Sequence, residues 1–82
     1  MSLPAAAIQF VNENAEINGA TEPGRSDDLF KWGALDSFAL VDFVTVLEDH
    51  CGISVPDADV NPNNFRTIEV IERYVASRRA EQ

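Results

Sequence analysis

Residues 35–51 read LDSFALVDFVTVLEDHC, and Gly52 follows. Asp36 and Ser37 are residue types that start helices, and glycine is the type that most often ends them. Set out at about 100° per residue, Leu40, Phe43, Val44, Leu47 and Cys51 share one side within an arc of about 100°. That stripe predicts a helix over about 37–51, with Asp36 as its N-cap candidate and the stripe turned to a core. Phe38, Val41, Asp42, Thr45 and Asp49 fall on the opposite side, with Glu48 at its border. The outward side is therefore not simply polar, because it carries an aromatic ring and a valine among acids.

Outward from this helix, the pattern predicts an all-α fold. SLPAAAIQFVNENAEING opens the chain. Ser2 can cap, Pro4 is tolerated in a first turn, and Ile8, Val11 and Ala15 recur at helical spacing, which gives a first helix over about 3–16 ended by Gly19. Residues 17–36 form a long loop, polar and turn-rich in TEPGRSDD, with Leu29, Phe30, Trp32 and Leu35 expected to pin its second half to the core. On the other side, Pro56 limits any extension of the central helix. NPNNF at 61–65 reads as a short helical turn. Thr67 caps a last helix over about 68–79, with Ile68, Ile71 and Val75 on one stripe and Glu69/Arg73 spaced for an i,i+4 pair. The expectation is a single domain over 1–82, a bundle of three main helices plus one short one, with a long loop between the first two.

The 82 residues suffice for one modest core and no deep enclosed active site. Acids outnumber bases 14 to 6, for a net charge of −8. Phosphate contacts need Lys and Arg, so nucleic acid and anionic membranes are disfavoured as partners and basic protein surfaces are favoured. From Gly33 to Asn64 the acids are Asp36, Asp42, Glu48, Asp49, Asp57 and Asp59, and no Lys or Arg interrupts them. A lone cysteine, Cys51, excludes an internal disulfide and a multi-thiolate zinc site. No run of about 18 apolar residues predicts a membrane span, and no signal segment is evident. A cytoplasmic monomer is expected.

Three chemistries compete for Ser37. As a nucleophile it needs a base, and the sole histidine, His50, lies 13 residues on, about 19 Å along the same helix axis. His50 fits better as a cation near the helix C-terminus. A metal loop is suggested by DADVN at 57–61, but Pro62 stands where a calcium loop needs glycine and Ile68 where it needs glutamate. No glycine pattern makes a phosphate loop. A covalent carrier is the third possibility. A phosphodiester on Ser37 would sit near the helix's unpaired N–H groups, a gain of roughly 0.3–1 kcal/mol. Asp36 at ~6 Å would oppose it by roughly 0.7 kcal/mol. The two nearly cancel, which leaves Asp36 to cap the helix, worth about 1 kcal/mol, or to be read by a modifying enzyme.

LDSF with ALVDFVTVLED after it, then GISVPDADV and NPNNFRTIEVIERYV, resembles the acyl carrier proteins and their peptidyl and D-alanyl carrier relatives, over roughly residues 29–76. The resemblance implies a four-helix bundle and a motif serine, here Ser37, that carries 4′-phosphopantetheine donated by coenzyme A and installed by a phosphopantetheinyl transferase. The thiol of that arm, not Cys51, would hold the acyl group as a thioester. Asp36 matches the acid read by the transferase. Phe38, Val41, Asp42, Thr45, Glu48 and Asp49 match the side turned to partners, among them acyl-loading ligases, ketosynthases or acyltransferases with basic patches. Two departures stand out: Phe38 replaces the usual Leu, and Thr45 replaces a usual Met or similar apolar residue. They lean away from bulk fatty-acid synthesis and toward a dedicated carrier in a specialised lipid or polyketide-type pathway. Because the chain runs from Met1 to shortly after its last helix, a stand-alone carrier without catalytic activity is expected. Alternatives are a peptidyl or D-alanyl carrier, an unmodified acidic helical adaptor anchored by Phe38 and Val41, and a carrier fold that is never modified.

Overall fold

The computed structural model describes residues 3–80. Its helices are α1 (Ala5–Ile17), α2 (Leu29–Trp32), α3 (Ser37–Cys51), α4 (Pro62–Phe65) and α5 (Ile68–Ala80), with one 3₁₀ turn at Asp57–Asp59. The described residues form no strand, and the architecture is the all-α bundle, three long helices with short ones between.

α3 forms where its pattern places it. Asp36 Oδ1 accepts the N–H groups of Phe38 (2.9 Å) and Ala39 (2.7 Å), so two of the four N–H groups that a helix start leaves unpaired are satisfied. Gly52, at φ +67°, ends the helix, and its N–H donates to the Glu48 carbonyl. The buried stripe is Leu40, Phe43, Val44, Leu47 and Cys51.

α1 packs through Ala7, Val11 and Ala15, spaced four apart, while Ile8 is only partly buried at the edge of the stripe. Small residues at two of these positions bring the helix close to its neighbours. Ser2 lies outside the described residues, and Pro4 occupies the cap position without a side-chain hydrogen bond. At the far end, Asn18 Nδ2 donates to the Gly33 carbonyl at 2.8 Å. The end of α1 therefore meets the entry to α3, and the two helices run antiparallel. An aromatic series joins α1 to α3, α4 and α5: Phe10–Phe43, Phe43–Phe65 and Phe65–Tyr74, with centroids 5.6, 6.4 and 5.3 Å apart.

The long loop is more ordered than its composition suggests. It contains α2, a single turn capped by Asp28, which accepts from Phe30 N and Lys31 N. Leu29 and Leu35 enter the core and Phe30 packs partly against it. Trp32 does not join them. It stays 37% exposed, because its indole N–H donates to the Thr21 carbonyl at 2.7 Å and holds the ring over the polar half of the loop. The Glu69/Arg73 pair suggested by spacing is not among the ion pairs of the described residues; Glu69 accepts from Ser26 Oγ at 2.6 Å instead. Thr67 Oγ1 caps α5 through Val70 N. At the other end of α5, Arg78 Nε donates to Ser54 O (2.9 Å) and Arg79 Nε to Cys51 O (3.4 Å), so the last turn of α5 closes over the end of α3.

Candidate functional site

Ser37 is the first residue of α3 and is exposed. Asp36 fixes this end. Its carboxylate takes the Phe38 and Ala39 N–H groups, and its carbonyl accepts Leu40 N at 2.9 Å. The N–H groups expected to face a phosphodiester are thus spent on the cap. An anion attached to Ser37 would feel the helix dipole without those two donors. The Ser37 hydroxyl itself makes no hydrogen bond among the described residues, so its esterification breaks none within them. Two flanking anchors keep the turn rigid: Leu35 and Leu40 are both buried.

The outward side of α3 is assembled much as the helical wheel places it. Phe38 is 87% exposed and Val41 59%, and Asp42, Thr45 and Asp49 are exposed beside them. The Thr45 hydroxyl turns back to the Val41 carbonyl at 3.3 Å. Glu48 differs. It is half-buried, and its Oε2 accepts the Val55 N–H at 2.9 Å, which ties the segment after Gly52 back onto α3. Periodicity alone could not find this bond, because the segment that supplies the N–H has no period. One turn beyond Ser37, a cleft of about 450 Å³ opens between α3 and this segment. Val41, Val44, Val55 and Val60 line it together with Thr45, Glu48 and Asp57.

His50 sits in the last turn of α3 while Ser37 is in the first. At 1.5 Å per residue they are about 20 Å apart, so they form no nucleophile–base pair. The DADV turn serves the fold: Asp59 accepts the Tyr74 hydroxyl at 2.8 Å, and Asn64 Nδ2 donates to the Asp59 carbonyl. No cluster of His, Cys, Asp and Glu among the described residues is placed to hold a metal ion. No helix among the described residues is long and apolar enough to cross a membrane.

Two ion pairs missed by sequence reasoning hold the loop that leads to Ser37. Both terminal nitrogens of the Arg25 guanidinium reach Glu72 of α5, Nη1 to Oε2 at 3.0 Å and Nη2 to Oε1. Arg66 Nη1 meets Asp28 at 3.1 Å, and its Nη2 donates to Asn63. The Arg25 hydrogen bond holds the Glu72 carboxyl below the usual carboxylate range, against the opposing push of burial. Asp28 is held below that range by the Lys31 N–H first and also by Arg66. A signal was available for Glu72. With Ile68, Ile71 and Val75 it completes an i, i+3, i+4, i+7 stripe, so a glutamate stood at a core position and required a partner.

These features define a small helical bundle that presents one uncommitted serine hydroxyl at the head of an acidic, amphipathic helix. The chain belongs to the phosphopantetheine attachment site family, whose sequence model matches residues 9–75. The match begins well before Leu29, where the likeness to carrier proteins first becomes close by eye, and is consistent with the acyl carrier protein group. Domains of this family bind a 4′-phosphopantetheine prosthetic group. No curated protein and no solved structure gives a significant match.

Proposed function

We propose that this protein is an acyl carrier, with Ser37 as the attachment point of 4′-phosphopantetheine. The observation that carries the reading is the Ser37 hydroxyl itself, exposed and without a hydrogen bond among the described residues at the capped start of α3, inside a chain of the phosphopantetheine attachment family. Ser37 Oγ would give up its proton to a base of the transferase and attack the pantetheine-side phosphorus of coenzyme A, so that a phosphodiester forms, the pyrophosphate P–O bond breaks and adenosine 3′,5′-bisphosphate leaves. The arm's thiol then supplies the thioester chemistry. The protein's own residues orient and present. Asp36 holds the turn rigid and is read by the transferase. Phe38, Val41, Asp42, Thr45 and Asp49 form the face on which basic enzymes dock, with apolar anchors for affinity and acids for steering. Phe38, in place of the usual leucine beside the attachment serine, selects partners with a pocket large enough for a ring, as suits a dedicated carrier in a specialised lipid or polyketide-type pathway. The valine-lined cleft one turn away gives the arm or its cargo an apolar resting place.

The test is intact-mass measurement after incubation with coenzyme A and a broad-specificity phosphopantetheinyl transferase. The wild-type protein gains one phosphopantetheinyl group and Ser37→Ala gains none. A gain that persists in Ser37→Ala refutes Ser37 as the attachment point; an unmodified wild-type protein refutes the carrier reading and favours the unmodified acidic adaptor, which would depend on Phe38 and not on Ser37.

A further inference from the structure

Among the described residues the large apolar side chains left exposed are Ile17, Trp32, Phe38 and Val41. Phe38 and Val41 lie on the outward side of α3, and Trp32 is held to the loop by its indole N–H. Ile17, the last residue of α1, is 80% exposed and has neither role. One exposed apolar residue is ordinary. Ile17, however, lines a hollow of about 300 Å³ together with Glu13 and Glu16. The backbone behind it is firmly held. Ala20 N donates to the Ala15 carbonyl at 2.8 Å, and Asn18 Nδ2 donates to the Gly33 carbonyl at 2.8 Å. A contact made on Ile17 therefore requires little ordering of the chain that offers it.

We propose that the end of α1 is a docking surface separate from the α3 face, for a protein segment that presents an apolar side chain beside a Lys or Arg. Ile17 is the apolar anchor, and the charge around it selects the occupant. A helix C-terminus is the negative end of the helix dipole and favours a cation. α1 has no basic residue in its last turn, which carries Glu16, with Glu13 just before it. No Lys or Arg precedes Arg25 in the chain. The ion pairs of the described residues, Arg25–Glu72 and Arg66–Asp28, leave both glutamates out. Gln9 Nε2 donates to Glu13 Oε1 at 2.9 Å, which orients that carboxylate without neutralising it. A second copy of the chain fits badly, because a two-fold contact would set the same acids against each other on chains of net charge −8. Anionic lipid is repelled in the same way. A basic protein segment gains from both the apolar contact and the charge. The surface is independent of what Ser37 carries.

The experiment is a titration of isotope-labelled, unmodified protein with a short peptide of leucines flanked by lysines, followed by NMR residue by residue. In wild type the amides of residues 13–20 shift and saturate. Ile17→Ser, a surface change that leaves the melt unaltered, weakens this binding about tenfold, as loss of one apolar anchor does. Glu13→Gln with Glu16→Gln weakens it about threefold, as loss of exposed charge pairs does. The same peptide with glutamates for lysines leaves residues 13–20 unshifted. No shift at these residues, shifts confined to the outward side of α3, or equal affinity in wild type and Ile17→Ser overturns the inference. Two controls cover the other occupants. A wild-type dimer in sedimentation that Ile17→Ser converts to a monomer assigns the surface to a second copy. Binding to zwitterionic lipid vesicles that Ile17→Ser abolishes assigns it to lipid. Either result overturns the proposal.

Discussion

Arg25 and Glu72 stand 47 residues apart in the chain and meet in a two-pronged ion pair that fastens the loop before Ser37 to α5. The Glu72 side chain is nearly buried, while that of Arg25 remains largely exposed. Its folded-state pKa lies below the ordinary value of 4.5, so the carboxylate contributes stability that is fully present above that pH. The contribution is lost as pH falls through the lower folded value. Asp28, also held down, adds a loss of the same sign. The thermal midpoint of wild type should hold level at neutral pH and drop below about pH 4.5. In Arg25→Ala the midpoint should be lower at neutral pH, and its acid slope flatter, since Glu72 no longer has a low pKa to lose. Thermal melts between pH 3 and 7 check both, and equal acid slopes in the two proteins would contradict the account.

How much of this was legible depended on whether the information was local. α3 was legible to the residue, because Asp36, the five-residue stripe and Gly52 are all contained within it. The exposed serine at its head followed from the same stretch. α2 was not legible: four residues carry less than two turns of periodicity, and what fixes them is burial of Leu29 and the Asp28 cap. Trp32 was misplaced because apolar area alone argued for the core, while the indole N–H needed an acceptor and found one in the loop at Thr21. The angle put Glu48 at the border of the outer face and the family resemblance turned it to partners, whereas the Val55 N–H that claims it comes from a segment without pattern. The loop's ion pairs required knowing which distant residues meet.

Asp36 caps α3, and on the proposed function the transferase also reads it; substitution divides the two roles. Asp36→Ala removes the acceptor for Phe38 and Ala39 and should cost about 1 kcal/mol in denaturant melts. Asp36→Asn still caps and should cost a few tenths at most. Both remove the charge offered to the transferase, so both should raise its KM for the protein with a smaller change in kcat. If Asp36→Asn were modified as well as wild type, the residue would be a cap and nothing more.

Gly52 closes α3 in the left-handed region at φ +67°, and an added Cβ there would meet no atom within 4 Å. The cost of Gly52→Ala is thus purely conformational, about 1 kcal/mol, with no clash to relieve. Gly52→Asn should recover part of it, because asparagine tolerates that region better than alanine. Chemical denaturation of the three proteins at one pH gives the ranking Gly, Asn, Ala. Alanine equal to glycine would mean that the 52–56 segment adjusts its backbone freely, at odds with its tether through Glu48.

Phe38 and Phe43 are the same residue type on the same helix, five positions apart, and one is 87% exposed while the other is fully buried between Phe10 and Phe65. Phe43→Ala should cost about 3–5 kcal/mol, since it opens a cavity where α1, α3 and α4 meet. A domain of this size has little more than that to lose, so the variant should be largely unfolded at 37 °C. Phe38→Ala should change stability by less than about 0.5 kcal/mol, as its ring supports no neighbour. On the proposed function its effect is on recognition, with modification by the transferase or loading by a partner enzyme weakened through KM while the melt is unchanged. Phe38→Leu, which restores the residue usual beside a carrier serine, should keep modification by a broad transferase and lose efficiency with a dedicated loading enzyme. Melting curves and loading kinetics on the same three variants separate the two faces of α3, and a destabilised Phe38→Ala would place that ring in the fold rather than on the docking surface.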